Sequence, residues 1–349
     1  MSSRIGIAVF CCILAGCFHP PSGLEQEKDE GEGVGGVLDA RGADAGAIVV
    51  TSSSTVCAPL PYRIHESAAY FDGSKLWYLG GCTDNNAKRT SIHSFDPQTC
   101  ALAQSAAAIP VGQHGAYFAA KGSVIYMFGG DTGFGLLRSI VRFDSSTQTV
   151  TTMSAQLPTA RYQGGAVWAG DSIYLVGGWD GLNVLSEVLR YDPLTDTIVK
   201  LRSDPRLQRE MPAVFALGGY IYIAGGFIQQ APERSNSTVI RFDPATSSLT
   251  TLPAENPIPH LFTGYGSDGT YGYLFGGVRS GASGANAPMP EIMRFDPTRM
   301  RIDLVGNVAI AKHGNAWTWA NGSFYTFGGM TAPAWTWYDS IQRWTPPAP

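Results

Sequence analysis

Polar and charged side chains recur at one place in this sequence, 15 to 17 residues before each of six Gly-Gly pairs. These residues are Arg63, His65, Gln113, His114, Arg161, Tyr162, Arg209, Glu210, His260, Lys312 and His313. Equivalent positions of a repeat lie on the same face of a fold. Imidazole, guanidinium, carboxylate and phenol groups gathered on one face could bind a polar ligand, transfer a proton or hold a metal.

Three of these residues, His65, His114 and His313, stand at the same distance before their Gly-Gly pairs. Imidazoles that converge on one axis could ligate a metal ion. No carboxylate or cysteine stands at ligand spacing beside them, so we expect hydrogen bonds to a ligand or to water. No metal and no cofactor is predicted.

No catalytic motif accompanies these residues. The chain has no Gly-x-Ser-x-Gly elbow and no Cys/His pair that the sequence would bring together. The Gly-Gly pairs are no phosphate loop, because further strands follow them and no helix N-terminus is predicted there.

The Gly-Gly pairs mark an internal repeat of 48 to 52 residues. An aromatic residue stands three positions before each pair: Trp77, Tyr126, Tyr174, Tyr222, Tyr273 and Tyr325. A turn signal such as Asp72-Gly73 or Asn321-Gly322 comes just before that residue, and an aromatic-Asp turn follows the pair in five copies. Each copy predicts four short strands, a to d, with strand b ending at Gly-Gly, which is one blade of a propeller.

This pattern resembles the kelch repeat over essentially all of residues 47–349. The resemblance implies an all-β, six-bladed kelch-type β-propeller. One departure is systematic: the Trp that kelch units carry seven residues after the aromatic is replaced by another apolar residue at Leu102, Val150, Ile198, Leu249 and Ile302.

Both chain ends contribute to the predicted ring. The sixth repeat stops at Pro346–Pro349 and lacks a strand d. The segment Ala47–Leu60 reads as a strand before the first repeat. We predict that this N-terminal segment completes the last blade, because closure removes an exposed sheet edge.

The first 46 residues predict export and anchoring. Arg4 precedes the apolar run Ile5–Ile13, and Leu14–Cys17 resembles the bacterial lipobox. Residues 1–16 are therefore predicted as a lipoprotein signal peptide, with Cys17 as the lipidated residue of an exported protein held at the cell membrane or outer membrane. An ordinary signal peptide, cleaved after a small residue, is the alternative.

Charge separates the predicted tether from the predicted domain. Residues 17–46 hold seven acids and two bases and little to bury, which is typical of a flexible tether. The whole chain carries −4, the tether −5 and the signal +1 through Arg4, so residues 47–349 are neutral overall. A neutral domain has no field that concentrates nucleic acid, and no nucleic-acid partner is predicted.

Strands b and d end on the same side of a blade, so the b–c loops and the d–a connections line one face around the channel mouth. The b–c loops add further residues, among them Asp131, Phe134, Trp179, Arg234 and Trp335. Aromatic residues flanked by arginines and acids suit a protein, peptide or carbohydrate ligand. We predict a membrane-anchored binding protein of the bacterial cell envelope that uses this face.

The alternative is a carbohydrate-active enzyme at the channel mouth, similar to the bacterial kelch mutarotase of sialic acid. By that analogy Glu210, with His114 or Arg209, would supply the acid and the base.

Three cysteines remain after the signal and the lipidated residue: Cys57, Cys82 and Cys100. An exported protein permits disulfides. Cys57 and Cys82 are expected on the same face, and Cys100 on the opposite face. A disulfide, if one forms, is predicted to join Cys57 to Cys82.

Overall fold

Six four-stranded antiparallel sheets surround a central axis in this protein. The computed structural model describes residues 51–230, 233–255, 264–280, 286–331 and 336–347. Within each sheet the strands follow the order a, b, c, d, and the a strands of neighbouring sheets contact one another around the whole ring. The predicted six-bladed, all-β propeller is confirmed.

The strands are short, as expected for chain segments separated by tight turns. Strand a comprises Ala68–Phe71, Tyr117–Lys121, Gly165–Ala169, Ala213–Leu217, Gly264–Ser267 and Ala316–Ala320 in blades 1 to 6. Strand b comprises Leu76–Leu79, Val124–Phe128, Ser172–Val176, Tyr220–Ala224, Gly272–Phe275 and Ser323–Phe327. Strand c comprises Ser91–Phe95, Ser139–Asp144, Glu187–Asp192, Thr238–Asp243, Glu291–Asp296 and Ile341–Trp344. Strand d comprises Leu102–Ala108, Thr149–Gln156, Thr197–Ser203, Ser248–Glu255, Arg301–Asn307 and, in blade 6, Ser54–Thr55.

Four short two-stranded sheets lie outside the blades, where strands b end. They pair Ile64–His65 with Cys82–Thr83, Phe227–Gln230 with Glu233–Ser235, Val278–Ser280 with Asn286–Pro288, and Met330–Thr331 with Thr336–Trp337. One 3-10 helix, Pro205–Leu207, connects blades 3 and 4. In the described part of the chain, no helix has the length and apolar character needed to span a membrane.

The aromatic residue before each Gly-Gly pair packs against an aromatic residue in strand c of the next blade. The ring-centroid distances are 5.3 Å for Trp77–Phe143, 5.5 Å for Tyr126–Tyr191, 6.0 Å for Tyr174–Phe242, 4.9 Å for Tyr222–Phe295, 5.5 Å for Tyr273–Trp344 and 6.4 Å for Tyr325–Phe95. Six main apolar clusters result, each shared by two neighbouring blades. Every blade is therefore stabilised by both of its neighbours.

The Gly-Gly pairs lie where one blade meets the next. Gly178 donates its N–H to the carbonyl oxygen of Arg209 in the following blade at 2.7 Å. Gly177 has φ +62°, and a Cβ at that position would overlap the same carbonyl oxygen. Only glycine combines this backbone conformation with so close an approach.

The N-terminal segment closes the ring, as predicted. Ser54 and Thr55 pair antiparallel with Arg343 and Gln342 and so form strand d of blade 6. Just before them, Thr51–Ser52 pairs parallel with strand d of blade 5, a contact that the repeat did not indicate. One short segment therefore joins the last two blades.

The predicted disulfide between Cys57 and Cys82 is wrong. Cys57 is bonded to Cys100, with 5.5 Å between the two Cα atoms. Cys82 instead lies buried in the short strand that pairs with His65. The prediction failed because it treated the two ends of a blade as separate faces and neglected the twist of the sheets.

Twist brings each outer strand d over the c–d turn of the next blade. Ser154 N–H donates to Asp196 Oδ2 at 2.7 Å in this way, and Asp196 is the fourth residue after the turn aspartate Asp192. Cys100 is the fourth residue after its own turn aspartate, Asp96, and like Asp196 it has a positive φ. Ser54 and Thr151 occupy equivalent positions of strand d, because each pairs with the equivalent arginine of strand c. Cys57 and Ser154 each stand three residues after them and are therefore equivalent too. The disulfide thus takes the place of a repeated contact between blades.

Replacing Cys57 and Cys100 with serine is expected to lower the free energy of unfolding by about 2–4 kcal/mol, because the bond joins the first and last blades. Each single replacement should cost about as much as the double one, since either removes the bond. Guanidinium chloride unfolding without reductant measures the change. Peptide mapping of the oxidised protein that links Cys57 to Cys82 would contradict the assignment.

Candidate functional site

The connection that enters strand a contains a recurring three-residue segment, which we call the entry triplet. The described triplets are residues 64–66, 113–115, 161–163, 209–211 and 312–314, in blades 1, 2, 3, 4 and 6. In blade 2, Gln113 O accepts the Gly81 N–H of blade 1 at 2.8 Å, and His114 exchanges backbone hydrogen bonds with Asp131 of its own b–c loop. Gly115 N–H donates to Glu66 O at 3.1 Å. The first position is therefore bonded to the preceding Gly-Gly pair, the second to the b–c loop of its own blade, and the third to the third position of the preceding blade.

Third triplet residues form a chain of backbone hydrogen bonds around the axis. Glu66 N–H donates to Gly314 O at 2.5 Å, Gln163 N–H to Gly115 O at 2.7 Å, and Met211 N–H to Gln163 O at 2.6 Å. All five described members have φ between +50° and +65°. This conformation directs each N–H at the preceding blade and narrows the channel mouth.

The first triplet position holds four of the predicted ligand-binding residues: Gln113, Arg161, Arg209 and Lys312. All four side chains are buried. Arg209 donates to the carbonyl oxygens of Arg206, Gly225 and Thr238 at 2.9 to 3.1 Å, and to Thr238 Oγ1 at 2.7 Å. Burial lowers the pKa of Arg209 to about 10. Its guanidinium group stabilises the scaffold rather than facing the mouth.

Arg161 and Lys312 have comparable roles. Arg161 forms a buried ion pair with Glu187 at 2.7 Å and donates to Thr159 O at 3.0 Å. Lys312 Nζ donates to Ser340 Oγ at 3.3 Å, and burial lowers the pKa of Lys312 to about 7. The repeat showed that these residues are equivalent, but it could not show that their side chains point between the blades.

The second triplet position brings five predicted residues together at the mouth: His65, His114, Tyr162, Glu210 and His313. Each pairs through its backbone with the first residue after a Gly-Gly pair, which holds it against the b–c loop. All five are buried beneath these loops. They form the polar layer that the sequence analysis expected, although they are less accessible than expected.

The three histidines in this layer are uncharged at neutral pH. The rings of His65 and His114 lie 5.8 Å apart. Burial lowers the pKa of His65, helped by His114 and His313, and lowers that of His313 to about 4. Burial also lowers the pKa of His114, against the opposing effect of Asp131. Among the described residues, no group of three or more His, Cys, Asp or Glu is arranged to hold a metal ion.

Glu66, which the sequence analysis did not select, lies at the centre of this layer. Its Oε2 is 3.6 Å from His114 Nε2, and its Oε1 accepts a hydrogen bond from Gln163 Nε2 at 3.1 Å. The side chain is 10% exposed, and Oε2 has no hydrogen-bond partner. An available signal was its place in the repeat, since the equivalent residues include Gly115 and Gly314 and no other described acid.

The surroundings of Glu66 hold its carboxyl group partly protonated at neutral pH. Burial, together with the nearby Glu210 and Asp131, raises its pKa from 4.5 to about 7 against the opposing effects of the Gln163 amide and Lys88. A carboxyl group of this pKa beside a neutral imidazole can exchange a proton or bind a cation.

The remaining predicted residues lie on the rim or outside the described residues. Arg63 is exposed and pairs with Asp84 at 3.6 Å. Trp179 is half-buried, and its ring centroid is 5.6 Å from that of Tyr162. Arg234 lies in the short strand Glu233–Ser235. The residues outside the described ranges are Cys17, His260 and Trp335.

Two b–c loops carry large apolar side chains at their tips. Phe134 is fully exposed and Leu182 is 85% exposed. Each stands four residues after a Gly-Gly pair, in the neighbouring blades 2 and 3. Asp131 Oδ1 accepts the Gly133 N–H at 2.8 Å, and Asp180 Oδ1 accepts the Leu182 N–H at 2.9 Å. These side-chain hydrogen bonds order both loop tips.

Comparison with known families gives one match. The profile of the KLHDC2/KLHL20/DRC7 kelch-repeats domain matches residues 64–277, which is more than half of the chain. A search of curated proteins finds no significant relative.

Glu66→Gln is expected to stabilise the protein at alkaline pH more than at acidic pH. The raised pKa means that the folded protein holds the Glu66 proton more tightly than the unfolded chain, so this group makes stability fall as pH rises from about 4.5 through 7. The variant should therefore gain on the order of 2 kcal/mol relative to the native protein between pH 5 and pH 8.

The measurement is denaturant unfolding at both pH values. The histidine contributions have the opposite sign but are common to both proteins, so the difference isolates Glu66. Asp171→Asn, at a fully exposed carboxylate, is the matched control. An equal effect of Glu66→Gln at the two pH values would show that this carboxyl is ordinarily solvated.

Proposed function

We propose, on the premise that this chain belongs to the kelch-repeat family, that it is a binding protein of the bacterial cell envelope whose b–c/d–a face recognises a protein partner. Kelch domains generally mediate protein interactions. The lipobox resemblance at Leu14–Cys17 supports export and a lipid anchor on Cys17, and residues 17–46 would serve as the tether. The proposed location is the cell membrane or the outer membrane.

The exposed pair Phe134 and Leu182 is the observation that carries this proposal. Isolated apolar residues on a surface are ordinary, but here two large ones stand at equivalent positions of adjacent, ordered loops. An ordered aromatic or aliphatic side chain that enters an apolar pocket of a partner can contribute much of the binding energy, because little conformational entropy is lost. These tips favour a protein over a carbohydrate, whose hydroxyl groups need polar partners.

The alternative activity on sugars has less support. The acid and base that the sequence suggested included Arg209, and its guanidinium group is already bonded to three carbonyl oxygens and a hydroxyl. The layer around Glu210 and His114 is buried beneath the b–c loops. We therefore do not propose a catalytic role for these residues.

A photoreactive benzoylphenylalanine at position 134 is expected to crosslink a partner protein in cells of the native host, because that side chain would enter the interface. Leu194 is the matched control position: it is 94% exposed but lies in a c–d turn on the opposite face. The purified partner should then bind Phe134→Ser/Leu182→Ser at least about 10-fold more weakly than the native protein. It should bind Leu194→Ser unchanged.

Equal crosslinking from positions 134 and 194, or full affinity of the double variant, would count against the loop tips as the binding surface. Isothermal titration calorimetry gives the affinities.

Cys17→Ser is expected to abolish lipid modification and release the protein from the membrane fraction, because the thiol is the proposed acylation site. Cys12→Ser, within the apolar run, is the matched control and should leave the protein anchored. Mass spectrometry of the mature N-terminal peptide and membrane fractionation provide the measurement. A mature chain that does not begin at Cys17 would show that an ordinary signal peptide precedes the domain.

A further inference from the structure

Below the channel mouth lies a small chamber on the axis of the ring. Its volume is about 110 Å³. The polar residues that line it include Glu66, Gln163 and Asn315, and the aromatic ones are Phe118, Tyr265 and Trp317. The same three aromatic residues also line a second cavity further along the axis, so they mark the boundary between the two. The chamber therefore has a polar side towards the mouth and an aromatic side away from it.

Three of the residues that line this chamber carry a buried polar atom without a hydrogen-bond partner. Glu66 Oε2 and Asn315 Oδ1 are buried acceptors without a hydrogen bond, and Trp317 Nε1 is a buried donor without one. Buried polar atoms in native proteins are nearly always paired, so a concentration of exceptions around one cavity indicates an occupant. A cavity of this size could hold a few waters or one small chemical group.

The charges favour a cationic occupant. Among the described residues that line the chamber, Glu66 is the only Asp, Glu, Lys, Arg or His. Glu210 and Asp131 act on Glu66 from nearby, and the surrounding histidines are neutral because their pKa values are lowered. Lys88 is the one base that acts on Glu66 in the described part of the chain. The carboxylate of Glu66 is therefore the charge that the chamber itself offers to an occupant.

We propose that the axial chamber binds an organic ammonium group, with the Glu66 carboxylate and the Asn315 side-chain oxygen accepting its N–H groups and Phe118, Tyr265 and Trp317 surrounding its carbon atoms. Aromatic rings attract cations through their quadrupole, and the effect grows when water is excluded. The volume accommodates a small ammonium group. The ammonium group could belong to a free amine or to a lysine side chain of a protein on the b–c/d–a face.

Ethylammonium chloride is the probe, and ethanol, which has the same number of heavy atoms without the charge, is its neutral counterpart. Calorimetry at pH 8, with sodium chloride at the same ionic strength as reference, should show saturable ethylammonium binding in the millimolar range. Ethanol and sodium acetate should not bind measurably. Quenching of tryptophan fluorescence provides an independent readout, since Trp317 lines the chamber.

Glu66→Gln should weaken ethylammonium binding at least about 10-fold at pH 8, because it removes the charge and keeps the shape. Phe118→Leu, which removes a ring, should weaken it about 3-fold. Asp303→Asn makes the same carboxylate-to-amide change on the outer strand of blade 5 and should leave the affinity unchanged. Since Glu66→Gln is expected to be stable, loss of folding does not confuse its result.

Affinity should also depend on pH. The Glu66 carboxyl must be ionised to bind the cation, and burial raises its pKa to about 7, so binding to the native protein should weaken about 10-fold between pH 8 and pH 6. The ionisable groups that act on it are His65, His114, Asp131, Glu210 and Lys88. The lowered pKa values of the histidines keep them neutral over this range.

A second arm separates the two sources of the ammonium group. Acetyl-Gly-Lys-Gly-amide and its norleucine analogue are titrated under the same conditions. Preference for the lysine peptide assigns the chamber to a polypeptide lysine, whereas binding of ethylammonium alone assigns it to a free amine. Absence of ethylammonium binding beyond the sodium chloride reference, or equal binding of ethanol, overturns the proposal and leaves a water-filled chamber.

This inference deepens the proposed binding role but can fail without it. Crosslinking from position 134 does not involve Glu66, so a native protein that crosslinks its partner from position 134 but binds no ethylammonium would refute the ammonium site alone.

Discussion

The ring of backbone hydrogen bonds at the channel mouth is the constraint on which the rest of this structure depends. Within the described ranges, the third triplet residues take a left-handed conformation, and those of blades 1 to 4 donate their N–H groups to the blade before them. The first triplet residue accepts an N–H from the preceding Gly-Gly pair, and the second is paired with its own b–c loop. Three consecutive peptide groups thus join a blade to its neighbours and to its loop, which fixes the direction of every side chain on this face.

That constraint decides which side chains can serve a ligand. Residues at the first triplet position, such as Arg209 and Lys312, point between blades and satisfy carbonyl or hydroxyl groups there. Residues at the second position, such as His114, form the layer under the loops, and those at the third position reach the axis. A ligand that approaches this face contacts the loop tips first. Phe134 therefore lies at the outer surface of the face, and Glu66 lies deeper, at the axis.

Much of the fold could be predicted from sequence because each blade repeats the same local signals. The Gly-Gly pairs, the aromatic residues before them and the missing last strand were enough to predict six blades and N-terminal closure. The site was harder, because a repeat shows that the positions of Arg161 and Tyr162 recur but not that one side chain points between the blades and the other towards the mouth. The wrong disulfide partner of Cys57 has a related cause. Strand register can be predicted from local sequence, whereas the twist that brings Cys57 to Cys100 accumulates across a whole sheet.

Glu66 illustrates what the scaffold itself does not require. Gly115 donates and accepts the same backbone hydrogen bonds without any side chain, so the carboxyl group of Glu66 is not needed for closure of the ring. Burial and nearby acids raise its pKa to about 7, and its φ of +50° is unfavourable for a residue with a Cβ. A residue that costs stability in two ways is expected where a function needs it. A cation in the axial chamber would restore the charged carboxylate, so ligand binding and relief of the buried charge would be the same interaction.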